Sequence, residues 1–181
     1  MAERPPQLAH LEHLGDATRF AAQLHTLIPK CTLLENFTPD EVRELSQFME
    51  VYRAPEGEEI IREGDGGDFM VMVIEGRIAV SKRDRWNTPQ GIATVEPGRI
   101  LGEMSMIDGA ARFATCTAAG GPALVAVLGR ESLARTIVER PMLGAKLLME
   151  LVLMLSQRLR VTSDRLIEVL EEQGHSAAGQ L

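Results

Sequence analysis

The chain has 181 residues, 45% of them hydrophobic, enough for one domain with a real core plus extensions and too few for two comfortable ones. With 26 acidic against 19 basic side chains and a formal charge of -7, it lacks the dense basic face that nucleic-acid binding by counterion release requires. Two widely separated cysteines, Cys31 and Cys116, have no metal or redox spacing and no leader-like segment precedes Arg4, so a reducing cytoplasm is the expected location.

Residues 1–32 read as an N-terminal helical extension. Leu8, Leu11, Leu14, Ala17, Ala21, Leu24, Leu27 and Ile28 recur at helical spacing. This predicts one amphipathic helix over 7–28, or two short ones broken near Gly15 and Asp16, ended by Pro29. His10 and His13 would share a face of it, where polar surface is a simpler reading than a metal pair. Thr38-Pro39-Asp40-Glu41 carries an N-cap, a proline at the first helical position and a carboxylate three residues on, so a helix starts there with Val42, Leu45, Phe48 and Met49 on its buried side.

From 51 to 128 the period changes to two. Short β-rich pieces at 59–61, 69–74, 77–81, 91–95 and 124–128 are divided by Gly, Pro, Asn and Asp. About eight such strands predict a double-sheet roll or barrel. Residues 83–90 form a polar hairpin tip, with Trp86 expected to cover the end of the roll. After Gly129 a short helix opens at 130–133 and a long one at Pro141. The apolar stretch 147–155 is broken by Glu150 and falls short of the ~20 residues of a membrane span. Leu147, Leu148, Leu151 and Met154 are expected to lie on the roll. Val152, Leu155, Leu159, Thr162, Leu166, Val169 and Gln173 alternate at spacings of three and four, the seam of a parallel coiled coil, so 141–173 is expected to dimerise. A single helix lying on the roll is the alternative, and 174–181 reads as a flexible tail.

Chemistry concentrates in an expected short loop, Gly102-Glu103-Met104-Ser105-Met106-Ile107-Asp108-Gly109 and the following Ala110-Ala111-Arg112-Phe113-Ala114. A carboxylate accepts hydrogen bonds from sugar hydroxyls, an arginine forks two donors onto phosphate oxygens, and small residues let an anion approach the backbone. This is equipment for a sugar phosphate. In isolation the segment reads first as a surface turn whose Glu and Arg pair with each other or with water. Upstream, however, stand Glu63-Gly64-Asp65-Gly66-Gly67-Asp68-Phe69, an apolar strand, then Glu75-Gly76 and a second, alternating strand.

Taken in this order and spacing, the motifs closely resemble the cyclic-nucleotide-binding domain family, over roughly residues 33–172. The resemblance implies a mainly β fold with flanking α: a jelly-roll-like double-stranded β-helix at 33–140, with N-terminal helices and a long C-terminal dimer helix. It implies cyclic AMP (cAMP) as ligand, with cyclic GMP (cGMP) as the alternative. Glu103 would accept the ribose 2′-OH and Arg112 would neutralise the cyclic phosphate, helped by the backbone at Gly102, Met104, Ser105, Phe113 and Ala114. Three residues depart from the family's usual pattern: Leu101, Ala111 and Phe113. Phe113 removes a hydroxyl contact, and its ring has to lie beneath the ligand or in the roll.

Residues 158–165 also resemble the dimer helix of the catabolite activators, in which a Thr-Ser pair contacts adenine. Carried over, Thr162 and Ser163 read the base, Ser163 from across a dimer. The expected protein is a stand-alone, non-catalytic sensor that signals through its homodimer or an unidentified effector protein, with no metal, nucleic acid or membrane span. No helix-turn-helix follows the long helix in this sequence. A scaffold that keeps the fold without binding nucleotide is the runner-up, and a fragment of a transcription factor the third reading. A metal-dependent enzyme roll would need ligands inside it, whereas His10, His13, His25 and His175 all lie outside the β region.

Overall fold

In the computed structural model, which describes residues 4–178 and side chains through residue 171, nine strands build two antiparallel sheets. The five-stranded sheet runs β1-β2-β9-β4-β7, formed by β1 (Glu12–Asp16), β2 (Glu50–Ala54), β4 (Phe69–Glu75), β7 (Ile100–Leu101) and β9 (Ala123–Gly129). The four-stranded sheet runs β3-β8-β5-β6, formed by β3 (Glu59–Ile61), β5 (Ile78–Arg83), β6 (Pro89–Val95) and β8 (Thr115–Ala118). The expected double-sheet roll is therefore present.

Two cores explain the sequence pattern. Phe69, Val71, Val73, Val125 and Val127 pack between the sheets, while Met70, Met72, Ile74, Ala126 and Leu128 on the same strands pack under the helices. Strands covered on both faces read as unbroken apolar runs, which is why β4 shows no alternation.

The N-terminal segment departs from the helical expectation. Only its last third is an α-helix, α1 (Ala21–Leu27), while Glu12–Asp16 is a strand paired antiparallel with β2. An open sheet edge offers a full row of unpaired backbone groups, and that outweighs the helical spacing of Leu8, Leu11 and Leu14. His13 Nε2 lies 2.7 Å from Glu50 Oε2 across this pairing, whereas His10 Nε2 meets the Glu59 carbonyl, so the two histidines do not converge. Leu8 and Leu11 join the inter-sheet core.

Helix α2 (Pro39–Ser46) begins with the capping box read from the sequence: Thr38 Oγ1 accepts from Glu41 N–H and Glu41 Oε2 accepts from Thr38 N–H. Phe48 and Met49 are buried just beyond its end. Lys146 donates to the same Glu41 oxygen at 2.7 Å and, with Thr38, holds that carboxyl below its ordinary range.

Helix α3 (Glu103–Asp108) interrupts the sheets, and α4 (Arg130–Glu139) leads into α5 (Pro141–Ala178). Leu143, Leu147, Leu151 and Met154 seat α5 on the core, and buried Glu150 accepts a hydrogen bond from Asn36 Nδ2 at 2.9 Å. Leu148 does not share that face and is exposed. Of the seam, Val152, Leu159, Thr162, Leu166 and Val169 are exposed and Leu155 is half-buried; the Gln173 side chain lies outside the described residues. The helix continues to Ala178, where the sequence reading begins a tail at 174; residues 179–181 lie outside the described residues. Trp86 does not cover the roll: it is 69% exposed on the overhanging β5–β6 hairpin, under the Arg85 guanidinium.

Candidate functional site

Glycines frame the site. Gly102 ends β7 with φ +77° and caps α3, and Gly109, also at positive φ, closes it. The expected loop is therefore a six-residue helix between two left-handed glycines. A Cβ at Gly102 would fall 2.6 Å from Arg112 Nη1 and 2.8 Å from Ile61, so both conformation and space demand glycine there. Arg130 holds the far end of α3, donating to the carbonyls of Met106 at 2.7 Å and Ser105 at 2.9 Å.

The upstream Glu-Gly-Asp motif clamps the Arg112 backbone: Gly64 N–H donates to Arg112 O at 3.0 Å and Arg112 N–H to Asp65 O at 2.9 Å. Glu63 ties that loop to β5 by accepting from Arg83 N–H at 2.8 Å, which leads the influences that lower its carboxyl.

Arg112 itself is 3% exposed. Nη1 donates to Gly102 O at 2.8 Å, and the guanidinium lies 4.3 Å from the Phe69 ring centre. Its buried Nη2 has no hydrogen-bond partner among the described residues. Burial pulls the guanidinium below its ordinary pKa, opposed by the nearby carboxylates of Asp68, Glu103 and Asp65. A desolvated cation with a free donor is a receptor for an anion.

Glu103, 2% exposed, accepts from Arg158 Nη1 at 2.5 Å, and Arg158 Nη2 donates to Ile100 O at 2.8 Å. One acceptor oxygen of Glu103 remains for a further donor. Gly102, Glu103, Met104, Ser105, Arg112, Phe113 and Ala114 line one cavity of about 140 Å³, with Ile61, Val80, Leu101, Cys116 and Arg158 completing its wall. Burial pushes the Cys116 thiol up to about 12.

Phe113 does not enter the roll: its ring is 58% exposed beneath Lys82 Nζ, 3.9 Å from the centre, at the wall of this cavity, and the same Nζ donates to the Phe113 carbonyl at 2.7 Å. Thr162 and Ser163 stand apart from this cavity. Their hydroxyls donate back to the Arg158 and Leu159 carbonyls at 2.8 and 2.9 Å, and Thr162 lines a neighbouring cavity that shares Arg158. Arg158 is the member that sequence reasoning missed. Its signal was available one helical turn before Thr162, but nothing local showed that its partner would be Glu103.

Comparison with known proteins agrees with this architecture. A family model described as the cyclic nucleotide-binding domain matches residues 52–140. A solved cyclic nucleotide-binding domain from Methylobacillus flagellatus is 35% identical with a TM-score of 0.79, the match covering 91% of this chain and 94% of that one. A CRP-like cAMP-activated global transcriptional regulator of Mycobacterium tuberculosis is 22% identical over 144 residues, 80% of this chain and 62% of the regulator, so this chain spans about three-fifths of that relative's length. The human cGMP-dependent protein kinase 2 is 27% identical over 64% of this chain and 15% of the kinase. Fold, coverage and matched segment together make the chain a member of the cyclic nucleotide-binding domain family.

Proposed function

We propose that this protein is a cytoplasmic, non-catalytic sensor that binds cyclic AMP in the cavity of α3 and Arg112, and that signals through a homodimer or a partner protein. The observation that carries the reading is Arg112, almost fully buried yet with Nη2 unpartnered. A cyclic phosphodiester is a monoanion, matched in charge by one guanidinium. Glu103, oriented by Arg158, takes the ribose 2′-OH, and the backbone at Met104, Ser105, Phe113 and Ala114 completes the phosphate shell. Thr162 and Ser163 read the base. Thr162 stands one turn from Arg158, which lines the cavity, and Ser163 acts from the partner subunit.

The exposed stripe of Val152, Leu159, Leu166 and Val169 supports pairing of α5, since apolar surface left in water costs ~25 cal/mol per Å². Among the described residues no helix is long and apolar enough to cross a membrane.

Titration calorimetry with cyclic AMP, cyclic GMP and cyclic di-GMP tests the reading, with Arg112→Ala as control. Binding of cyclic AMP that is lost in the variant is the expected result. If none of the three binds below about millimolar, the module is a scaffold that keeps the fold without the ligand. Sedimentation with and without cyclic AMP tests the dimer, and a monomer under both conditions at micromolar concentration refutes it.

A further inference from the structure

Helix α5 carries a stripe at spacings of three and four that begins Leu143, Leu147, Leu151, Met154 and continues Arg158, Val161, Arg165. The first four residues are buried against the core. Beyond Met154 the stripe turns basic where the helix overhangs the turn between β6 and β7, and that turn supplies Arg99. The three arginines line one cavity of about 390 Å³, within the range of small-molecule sites, together with Thr32, Gln157 and Thr162. No Asp or Glu lines it. Arg99 and Arg165 make no ion pair or side-chain hydrogen bond with any described residue, while Arg158 is held by Glu103 and the Ile100 carbonyl.

With no carboxylate in the cavity lining, Arg99 and Arg165 repel one another in a chain whose formal charge is -7, whereas Arg158 is offset by Glu103 behind it. Acidic side chains are plentiful elsewhere, so their absence here leaves a local positive field for a ligand to neutralise. Guanidinium forks match phosphate oxygens in geometry, and two unpaired cations plus a shared third match an anion of two or more charges.

We propose that the cavity between α5 and the β6–β7 turn is a second ligand site, for a pyrophosphate group, bound by Arg99, Arg165 and the shared Arg158. Because Arg158 also walls the Glu103 cavity, an anion that draws on Arg158 weakens its hold on Glu103. The two sites then antagonise each other, and by linkage the effect is reciprocal. The antagonism rests on the cyclic-nucleotide reading; the anion site does not.

The probe is inorganic pyrophosphate, titrated calorimetrically into the full chain in phosphate-free buffer, with ADP as a second arm. Binding is expected, weakened about tenfold or more in the double variant R99A/R165A, whose substituted side chains are exposed. Tighter binding of ADP assigns the group to a nucleotide, and equal binding to the free anion. Pyrophosphate is also expected to weaken cyclic AMP severalfold in the wild type but not in R99A/R165A, which keeps wild-type affinity for cyclic AMP alone. Absence of pyrophosphate binding, or binding that survives R99A/R165A, overturns the site. Binding lost instead in R112A places the anion in the α3 cavity and overturns it equally. Unchanged cyclic AMP affinity under saturating pyrophosphate overturns the antagonism. A wild type that takes pyrophosphate but no cyclic AMP refutes the nucleotide reading while leaving the anion site standing.

Discussion

Replacing Arg112 with methionine separates what this side chain does for the fold from what it does for a ligand. In the free protein the guanidinium is 3% exposed and makes one hydrogen bond, at 2.8 Å to Gly102 O, with Nη2 unpartnered. Methionine keeps an unbranched stem against Phe69 and removes the charge. The lost hydrogen bond costs about 1–3 kcal/mol, whereas the desolvation of a buried ion amounts to several kcal/mol. The free variant should therefore be as stable as the wild type or more so, by up to about 2 kcal/mol. Cyclic AMP should lose about 3–5 kcal/mol of binding, roughly a hundredfold to several thousandfold, because its phosphate enters the cavity without a cation. Urea unfolding with and without nucleotide reads both quantities. At a hundredfold excess over Kd, the wild type gains about 2.7 kcal/mol and the variant at that concentration almost nothing. A free variant destabilised by more than about 2 kcal/mol, or one that keeps the nucleotide-induced gain, would refute the reasoning.

Gly67→Ala should weaken cyclic AMP more than it destabilises the fold, because a Cβ there falls 2.4 Å from Ser105 Cβ and 2.8 Å from Arg112 Cζ; calorimetry beside a urea melt compares the two. Arg158→Ala strips buried Glu103 of its one side-chain partner among the described residues, and since Arg158 is 36% exposed the cost should fall to about 1–3 kcal/mol, below that of a fully buried pair, read from urea unfolding. Thr162→Ala with Ser163→Ala should narrow the preference for adenine over guanine while leaving the shared ribose phosphate contacts; an unchanged ratio of affinities means that the base is read elsewhere. Cys116 ionises near 9.0 when free and at about 12 in the fold, so the folded state disfavours its thiolate. Stability should therefore fall as pH rises above about 9, and the loss should be smaller in Cys116→Ala, where buried Cys31 and Tyr52, also pushed up by burial, still contribute; unfolding across that range reads the difference.

Much of the architecture was legible because local chemistry and tertiary packing agree. The capping box of Thr38 and Glu41, the glycine-punctuated strands and the proline start of α5 each follow from a few neighbouring residues. Strand β1 was not legible, since Glu12–Asp16 has no strand composition and extends only because the edge of β2 is there to pair with. Helix α3 has a signal, six residues between two glycines, but with no side-chain N-cap it reads as a loop from sequence alone. Within the site, proximity in sequence brought seven residues into one cavity, but the Arg158–Glu103 pair spans 55 positions and depends on how α5 crosses the roll. Phe113 could not be placed because its resting point is set by Lys82, on a strand whose register the sequence does not reveal.

The left-handed Gly102 constrains how this pocket can diversify. Any side chain there would be strained in its backbone and would press on Arg112 and Ile61, so substitution at this position is costly. Met104 and Phe113, in contrast, line the same cavity with side chains that are 52% and 58% exposed. Their side chains are largely exposed, where exchange is cheap. Changes of ligand preference should therefore be easier to install at the rim, at Met104 or Phe113, than in the glycine frame that holds α3.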